Sequence, residues 1–392
     1  MDLIIRNANV NGENLDIGIV GNKVTALEKK ISQTASKEIN ADGRVAIPGF
    51  VDCHLHLDKS LLNERAEYQD LTGPEKGALT REEKAKFTVE DITERAERIL
   101  LQGVKAGNLI IRTNVDVDPI VGVKGIEALL SLKEKYKDIL EVQVAAFSQE
   151  GFLNYPESKE LLEEAMEMGA DLVGGHTIVD NKDGEKHIDT ILEIAKKYDV
   201  EADFHLDESG NRQHYLLPYL AKKMIADGLK GRVNGIHCCT LSALNEEEKE
   251  EALALIKESE LKVTAAPTAI STRALAPVKD LLNNETLMGL GSDNVRDFFN
   301  PLGSGDVKQV ALLLSYVHRF FTAEEEESIW KMITVDGAKL LGHTDYGIKV
   351  DGEANITLLD GKTPKEVIAN QSQTYAIIRK GVDYSQQFLA RS

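Results

Sequence analysis

Between Gly49 and Asn294 the sequence alternates short, apolar, β-branched runs with amphipathic helical stretches, and this alternation restricts the fold more than any other feature. The runs are GFVDCHLHL, NLIIRTNVDV, EVQVAAF, DLVGGHT, VEADFHLD, RVNGIH, LKVTAAP and MGLGSD. In VEDITERAERILLQGVKAG, the apolar residues Ile92, Ala96, Ile99, Leu100 and Val104 fall at the three-and-four spacing of a buried helix face. Eight strand–helix units in about 300 residues read as a parallel (β/α)8 TIM barrel, an α/β fold. A doubly wound sheet is the other arrangement considered, but no G-x-G-x-x-G turn follows the first strand.

The two ends differ from this middle. DLIIRNANV and LDIGIVGNKVTALE near the start, and EANITLLD and YAIIRKGVDY near the end, are short β-rich runs. Gly21-Asn22 and Lys380-Gly381 supply the turns. Residues 1–48 and 347–392 are therefore expected to build a small β-domain together, leaving 49–346 to the barrel. The formal net charge of −19 argues against nucleic-acid or anionic-membrane partners, which require basic patches. MDLIIRNANVNGENLD has no basic n-region or long apolar core, so no secretory signal is expected. No apolar run reaches the roughly 20 residues of a membrane span. Cys53, Cys238 and Cys239 form no C-x-x-C pair, which excludes a zinc ribbon and points to the reducing cytoplasm.

In a barrel of this kind, chemistry sits at the carboxyl ends of the strands. The first strand ends with His54, His56, Asp58 and Lys59, and the third runs into Gln149 and Glu150. The fifth ends with His205, Asp207 and Glu208, the sixth with His237, and the eighth with Asp293 and Asn294. A lone strand histidine is more often a satisfied core residue than a ligand. His54 and His56, however, share one strand face. With His205 and Asp293 they make three imidazoles and a carboxylate, a set suited to zinc or ferrous iron with a position open for water. A bound ion lowers the pKa of its water toward ~7. Glu208 is then the candidate proton shuttle, and His237 and Asp293 the groups that manage the hydroxide proton. Gln149 can both donate to and accept from a planar amide-containing ring. Lys59 either neutralises a substrate oxygen or pairs with a carboxylate. His176, at the fourth strand end, faces the same mouth without an evident role. His214 and His343 read as helix or loop residues, and NEEEKEE at 245–251 as a solvated helix start. The polar segment DLTGPEKGALTREEKAKF is either a lid or a surface excursion.

At these residues the chain resembles the amidohydrolase superfamily, in the branch of cytosine deaminase and N-isopropylammelide isopropylaminohydrolase. The likeness runs through PGFVDCHLHLDKS, IRTNVDVD, VAAFSQEGF, DFHLDE, GSDNVRDFFNPLGSGD, IWKMITVDGAKLLG and ANITLLD. It implies a metal-bearing barrel with a flanking β-sandwich, and hydrolytic loss of ammonia or an amine from a cyclic amidine-like ring. It places one metal ion, zinc or iron, on His54, His56, His205 and Asp293, with Glu208 as the proton-shuttling acid. It likewise implies substrate contacts from Gln149, Lys59, Asn294 and the aromatic Phe299, and a homo-oligomer acting on a small heterocycle. Cytosine deamination is the leading expectation. An ammelide-type aminohydrolase or cyclic amide hydrolase is the alternative, because HLHLDKS and SDNVRDFF lean that way; Asn114 departs from both relatives, which usually carry histidine there. A non-catalytic metal-binding scaffold is disfavoured, since a closed structural site needs neither Glu208 nor His237.

Overall fold

The computed structural model describes residues 1–180, 182–268 and 274–389. Five strands come first: β1 (Leu3–Val10), β2 (Glu13–Val20), β3 (Lys23–Glu28), β4 (Lys37–Asn40) and β5 (Val45–Ile47). The middle of the chain supplies β6 (Phe50–Leu55), β7 (Asn108–Asp116), β8 (Glu141–Ser148), β9 (Leu172–His176), β10 (Ala202–Leu206), β11 (Val233–His237), β12 (Lys262–Ala265) and β13 (Met288–Leu290). The C-terminal part adds β14 (Ile356–Leu359), β15 (Thr374–Arg379) and β16 (Val382–Asp383).

Strands from both ends share one sheet. β1 runs antiparallel to β2 and parallel to β4 and β5, and β14 pairs antiparallel with β5. The C-terminal strands thus enter through β5 and complete one eight-stranded sheet separate from the middle strands, with Ile5, Ile17, Ile19, Ile356 and Ile378 packed together. Gly21-Asn22 links β2 to β3 and Lys380-Gly381 links β15 to β16. Gly21, Lys380 and Gly381 all have positive φ, as tight hairpin turns demand.

β6 to β13 pair side by side in sequence order, all parallel, to make the expected (β/α)8 barrel. Every residue of β6 and β7 is buried, since a barrel strand has side chains filling one face and helices covering the other. Two helices lie between them, α1 (Gly73–Lys84) and α2 (Val89–Ala106). In α2 the periodic residues Ile92, Ala96, Ile99, Leu100 and Val104 are all buried. Each large aliphatic among them contributes about 1.5–3 kcal/mol, well above the few tenths of a surface side-chain pair. Thr88 caps the start of α2 by accepting the Asp91 N–H, and Gly107, at φ +96, ends it.

The barrel closes narrowly. Leu55 and Asp293 form an isolated parallel bridge, in which Asp293 N–H donates to His54 O at 2.9 Å and His56 N–H to Asp293 O at 3.3 Å. Gly291 permits the approach, because a Cβ there would stand 2.7 Å from the His54 carbonyl oxygen. The seam is therefore built by the same residues whose side chains meet at the site.

Candidate active site

His54, His56, His205 and Asp293 converge at the carboxyl end of the barrel, with all four ligand atoms within 4.8 Å of one another. All four residues are buried. His54 Nδ1 lies 3.0 Å from Asn114 Oδ1, and His56 Nδ1 lies 3.0 Å from the Asn114 carbonyl oxygen. Both partners only accept, so both rings carry their proton on Nδ1 and turn an Nε2 lone pair inward. Those two Nε2 atoms stand 3.4 and 3.6 Å from Asp293 Oδ1. His56 Nε2 also faces His205 Nε2 at 3.2 Å, and His54 Nε2 is buried with no hydrogen-bond partner. Inward lone pairs around a carboxylate leave a centre that wants a cation. The donor set fits a divalent metal.

Electrostatics agrees for two of the three rings; at His54 burial pulls the pKa down, but the adjacent Asp293 carboxylate outweighs it and raises it. Burial, then the charges of Lys59 and His54, drive His56 well below the usual histidine range. Burial and the neighbouring rings do the same for His205. Neutral imidazole is the form that ligates. Burial pushes the Asp293 carboxyl up, but the adjacent His54 and the other surrounding histidines overcome it and hold it below the ordinary carboxylate range. Three functional strand exits pass through left-handed backbone, at Asp207 (φ +51), His237 (φ +75) and Asp293 (φ +59). Non-glycine residues seldom adopt this conformation; His237 and Asp293 line the cavity, while the Asp207 carboxylate accepts from the Leu216 and Leu217 N–H groups.

A cavity of about 480 Å³ opens over the cluster. His56, His205 and Asp293 form its floor, and Glu208, His237, Gln149, Lys59, Asn294 and Phe299 line it as well. The structure thus brings together the site residues expected from the sequence. Their partners sharpen the picture. Lys59 is buried and donates to Asp116 Oδ1 at 2.7 Å and to Gln149 Oε1 at 3.0 Å, so of its two expected roles the carboxylate pairing is present. Gln149 Nε2 lies 2.8 Å from His176 Nδ1. Asn294 donates to Asp297, and Phe299 is half exposed at the rim.

Two residues matter more than the sequence suggested. His176 lines the cavity, with Nε2 2.8 Å from Glu208 Oε2. Asn114, noticed only as a departure from relatives, orients both β6 histidines. A third, Lys84, gave no signal at all. This buried lysine at the end of α1 bonds Asp116, Asp118 and Glu150, anchoring a helix whose Lys76, Thr80 and Arg81 wall the cavity. The polar segment before α2 is therefore a cover rather than a plain excursion. Among the described residues a second group, His56, Asp58 and Asp116, also gathers, but its Asp116 already pairs with the Lys59 and Lys84 ammoniums.

Residues 96–379 match the Amidohydrolase family. The N-isopropylammelide isopropyl amidohydrolase of Pseudomonas sp. (strain ADP) is 36% identical over 97% of this chain and 96% of its own. The chain belongs to the amidohydrolase family. Among solved amidohydrolase-type structures, 5-methylcytosine deaminase from Klebsiella pneumoniae, liganded with 5-fluorocytosine, superposes with a TM-score of 0.90 at 25% identity, over 98% of this chain and 97% of that one. N-isopropylammelide isopropylaminohydrolase from Burkholderia multivorans superposes at 0.89 and 27% identity, covering 98% of each. This amidohydrolase is accordingly a hydrolytic enzyme acting on C–N bonds. No helix among its described residues is long and apolar enough to cross a membrane.

Proposed function

We propose that this amidohydrolase is a mononuclear metal-dependent enzyme that releases ammonia or an amine from an amino-substituted, cyclic amidine-like ring. The observation that carries the reading is the convergence of His54, His56, His205 and Asp293 beneath a cavity that Glu208 and His237 also line. These four residues would hold one zinc or iron ion, which when bound supplies an activated water at neutral pH by lowering its pKa toward ~7.

The chain's own residues do the remaining work. Gln149 and Asn294 orient the polar edge of the ring, and Phe299 offers an apolar wall. Glu208 takes one proton of the attacking water and carries it to the ring nitrogen beside the carbon under attack. His237 and Asp293 take the second proton of that water, from the newly bonded oxygen, and pass it to the departing amine. The water oxygen bonds to the ring carbon, the exocyclic C–N bond breaks, and the nitrogen leaves with the transferred proton.

Two substrates fit this scheme. Cytosine-like deamination, giving uracil and ammonia, is supported by the HLDE sequence at 205–208 and the likeness to 5-methylcytosine deaminase. Loss of an alkylamine from an N-substituted aminotriazine is supported by the 36% identical relative. The same reading places the enzyme in the cytoplasm as a homo-oligomer. An amine-release screen with metal analysis separates the cases, using cytosine, 5-methylcytosine, isocytosine, ammelide and N-alkylammelides. Ammonia from cytosine supports the first substrate and alkylamine the second. Full metal content with no product from any ring would sink the reading.

A further inference from the structure

We propose that His176 is a positioning residue for Glu208, locked in one tautomer by Lys59 and Gln149. The proposal rests on the proton-shuttling role given to Glu208 above. Its starting point is the polarity of Lys59, whose ammonium can only donate. Lys59 Nζ reaches Gln149 Oε1 at 3.0 Å, and this fixes the amide, since a reversed amide would set its NH2 against the ammonium. Gln149 Nε2 therefore points at His176 Nδ1, 2.8 Å away, and donates to it. A ring nitrogen that accepts is the unprotonated one. His176 must then carry its proton on Nε2, which lies 2.8 Å from Glu208 Oε2.

Two hydrogen bonds and one close polar contact thus run one way, from a buried cation at the β6 exit to the carboxylate at the β10 exit. The barrel ladder sets this up, because His176 is in register with His205 across β9 and β10, three residues before Glu208. Glu208 itself follows the left-handed Asp207 and lines the cavity. The 2.8 Å contact with His176 Nε2, an ion-pair approach outside hydrogen-bond geometry, favours one rotamer of the long Glu208 side chain. His176 need not touch the ring to affect the rate. It acts through the placement of the group that moves the proton.

Two readouts decide the matter. In the metal-loaded full chain with isotope-labelled histidine, NMR correlation of ring protons with ring nitrogens should find His176 protonated at Nε2, its signals assigned by their loss in His176→Gln. Glu208→Gln should shift those signals. Protonation at Nδ1, or ring signals indifferent to Glu208→Gln, overturns the proposal whether or not any substrate is known. The kinetic arm uses whichever ring of the panel is hydrolysed. His176→Leu should lower kcat about 10- to 100-fold with KM within about threefold and metal content unchanged. His176→Gln, whose amide N–H can take the Nε2 position, should restore kcat to within about fivefold of wild type. Equal losses in the two variants, or a His176→Leu kcat within about twofold of wild type, overturn it. A panel with no turnover overturns the deaminase reading instead, and the NMR arm still decides His176.

Discussion

Glu208 carries the chemistry proposed for this site, and a single atom exchange tests it. Glu208→Gln keeps the side chain's size and still offers His176 an acceptor oxygen, but it cannot move a proton. Its kcat should fall about 10²–10⁴-fold while metal content and melting temperature stay at wild-type values. Steady-state kinetics with metal analysis check this, and near-normal turnover would remove the assigned role. At this scale the sequence exposed the four ligand residues well. They sit at strand ends, and the H-x-H spacing puts two of them on one face. It exposed His176 and Asn114 poorly, because their importance lies in hydrogen bonds that cross from strand to strand. Such bonds leave no local pattern. Lys84 was hidden for a related reason: a lysine in a polar helix looks solvated until three carboxylates from elsewhere in the chain surround it.

Two elements frame the mouth of the barrel, and each hangs on one buried charged group. Helix α1 is polar over most of its surface, so apolar packing does little to hold it. Its anchor is Lys84, fully buried against Asp116, Asp118 and Glu150. Lys84→Met removes the cation and leaves crowded carboxylates, a loss of about 3–5 kcal/mol. Urea unfolding should register it, and a midpoint unchanged from wild type would show that α1 is held by something else. The loop after β13 depends on Asp297. Its Oδ1 accepts from Phe299 N–H at 2.9 Å and Asn300 N–H at 2.8 Å, while Asn294 donates to its other oxygen. Burial pushes the Asp297 carboxyl up to about 6, from 3.8 in an unstructured chain. The folded state therefore binds this proton more tightly than the unfolded one. The residue's contribution to stability is complete below the unfolded value and is lost as pH rises through about 6. Asp297→Asn has no charge to bury, so its stability relative to wild type should rise by about 1–3 kcal/mol between about pH 4 and 7. Unfolding curves across that range give the slope, and a flat difference would contradict it.

The whole molecule was largely legible as architecture, since all eight barrel strands and both terminal hairpins lie where period and turn residues put them. What periodicity could not reveal is how the barrel closes. β6 and β13 meet through the Leu55–Asp293 bridge, whereas β7 and β8 share a register seven residues long. The seam is therefore the place where the ring of strands has least backbone bonding. It is also where the ligands lie, with His54 and His56 on one side and Asp293 on the other. A metal held by those side chains would join the two edges from above, and His205 would tie in β10. The proposed metal would thus brace the barrel where its backbone closure is weakest. A ligand that binds only the folded state stabilises it by about 2.7 kcal/mol when free ion is at a hundred times its dissociation constant. Chelation should accordingly lower the thermal midpoint. More specifically, amide hydrogen exchange should quicken most in Cys53–Leu57 and Gly291–Asn294, with the β7–β8 ladder little affected. Equal acceleration in all eight strands would mean that the metal supports the barrel only globally. Unchanged exchange at the seam would show that the backbone closes the barrel without it.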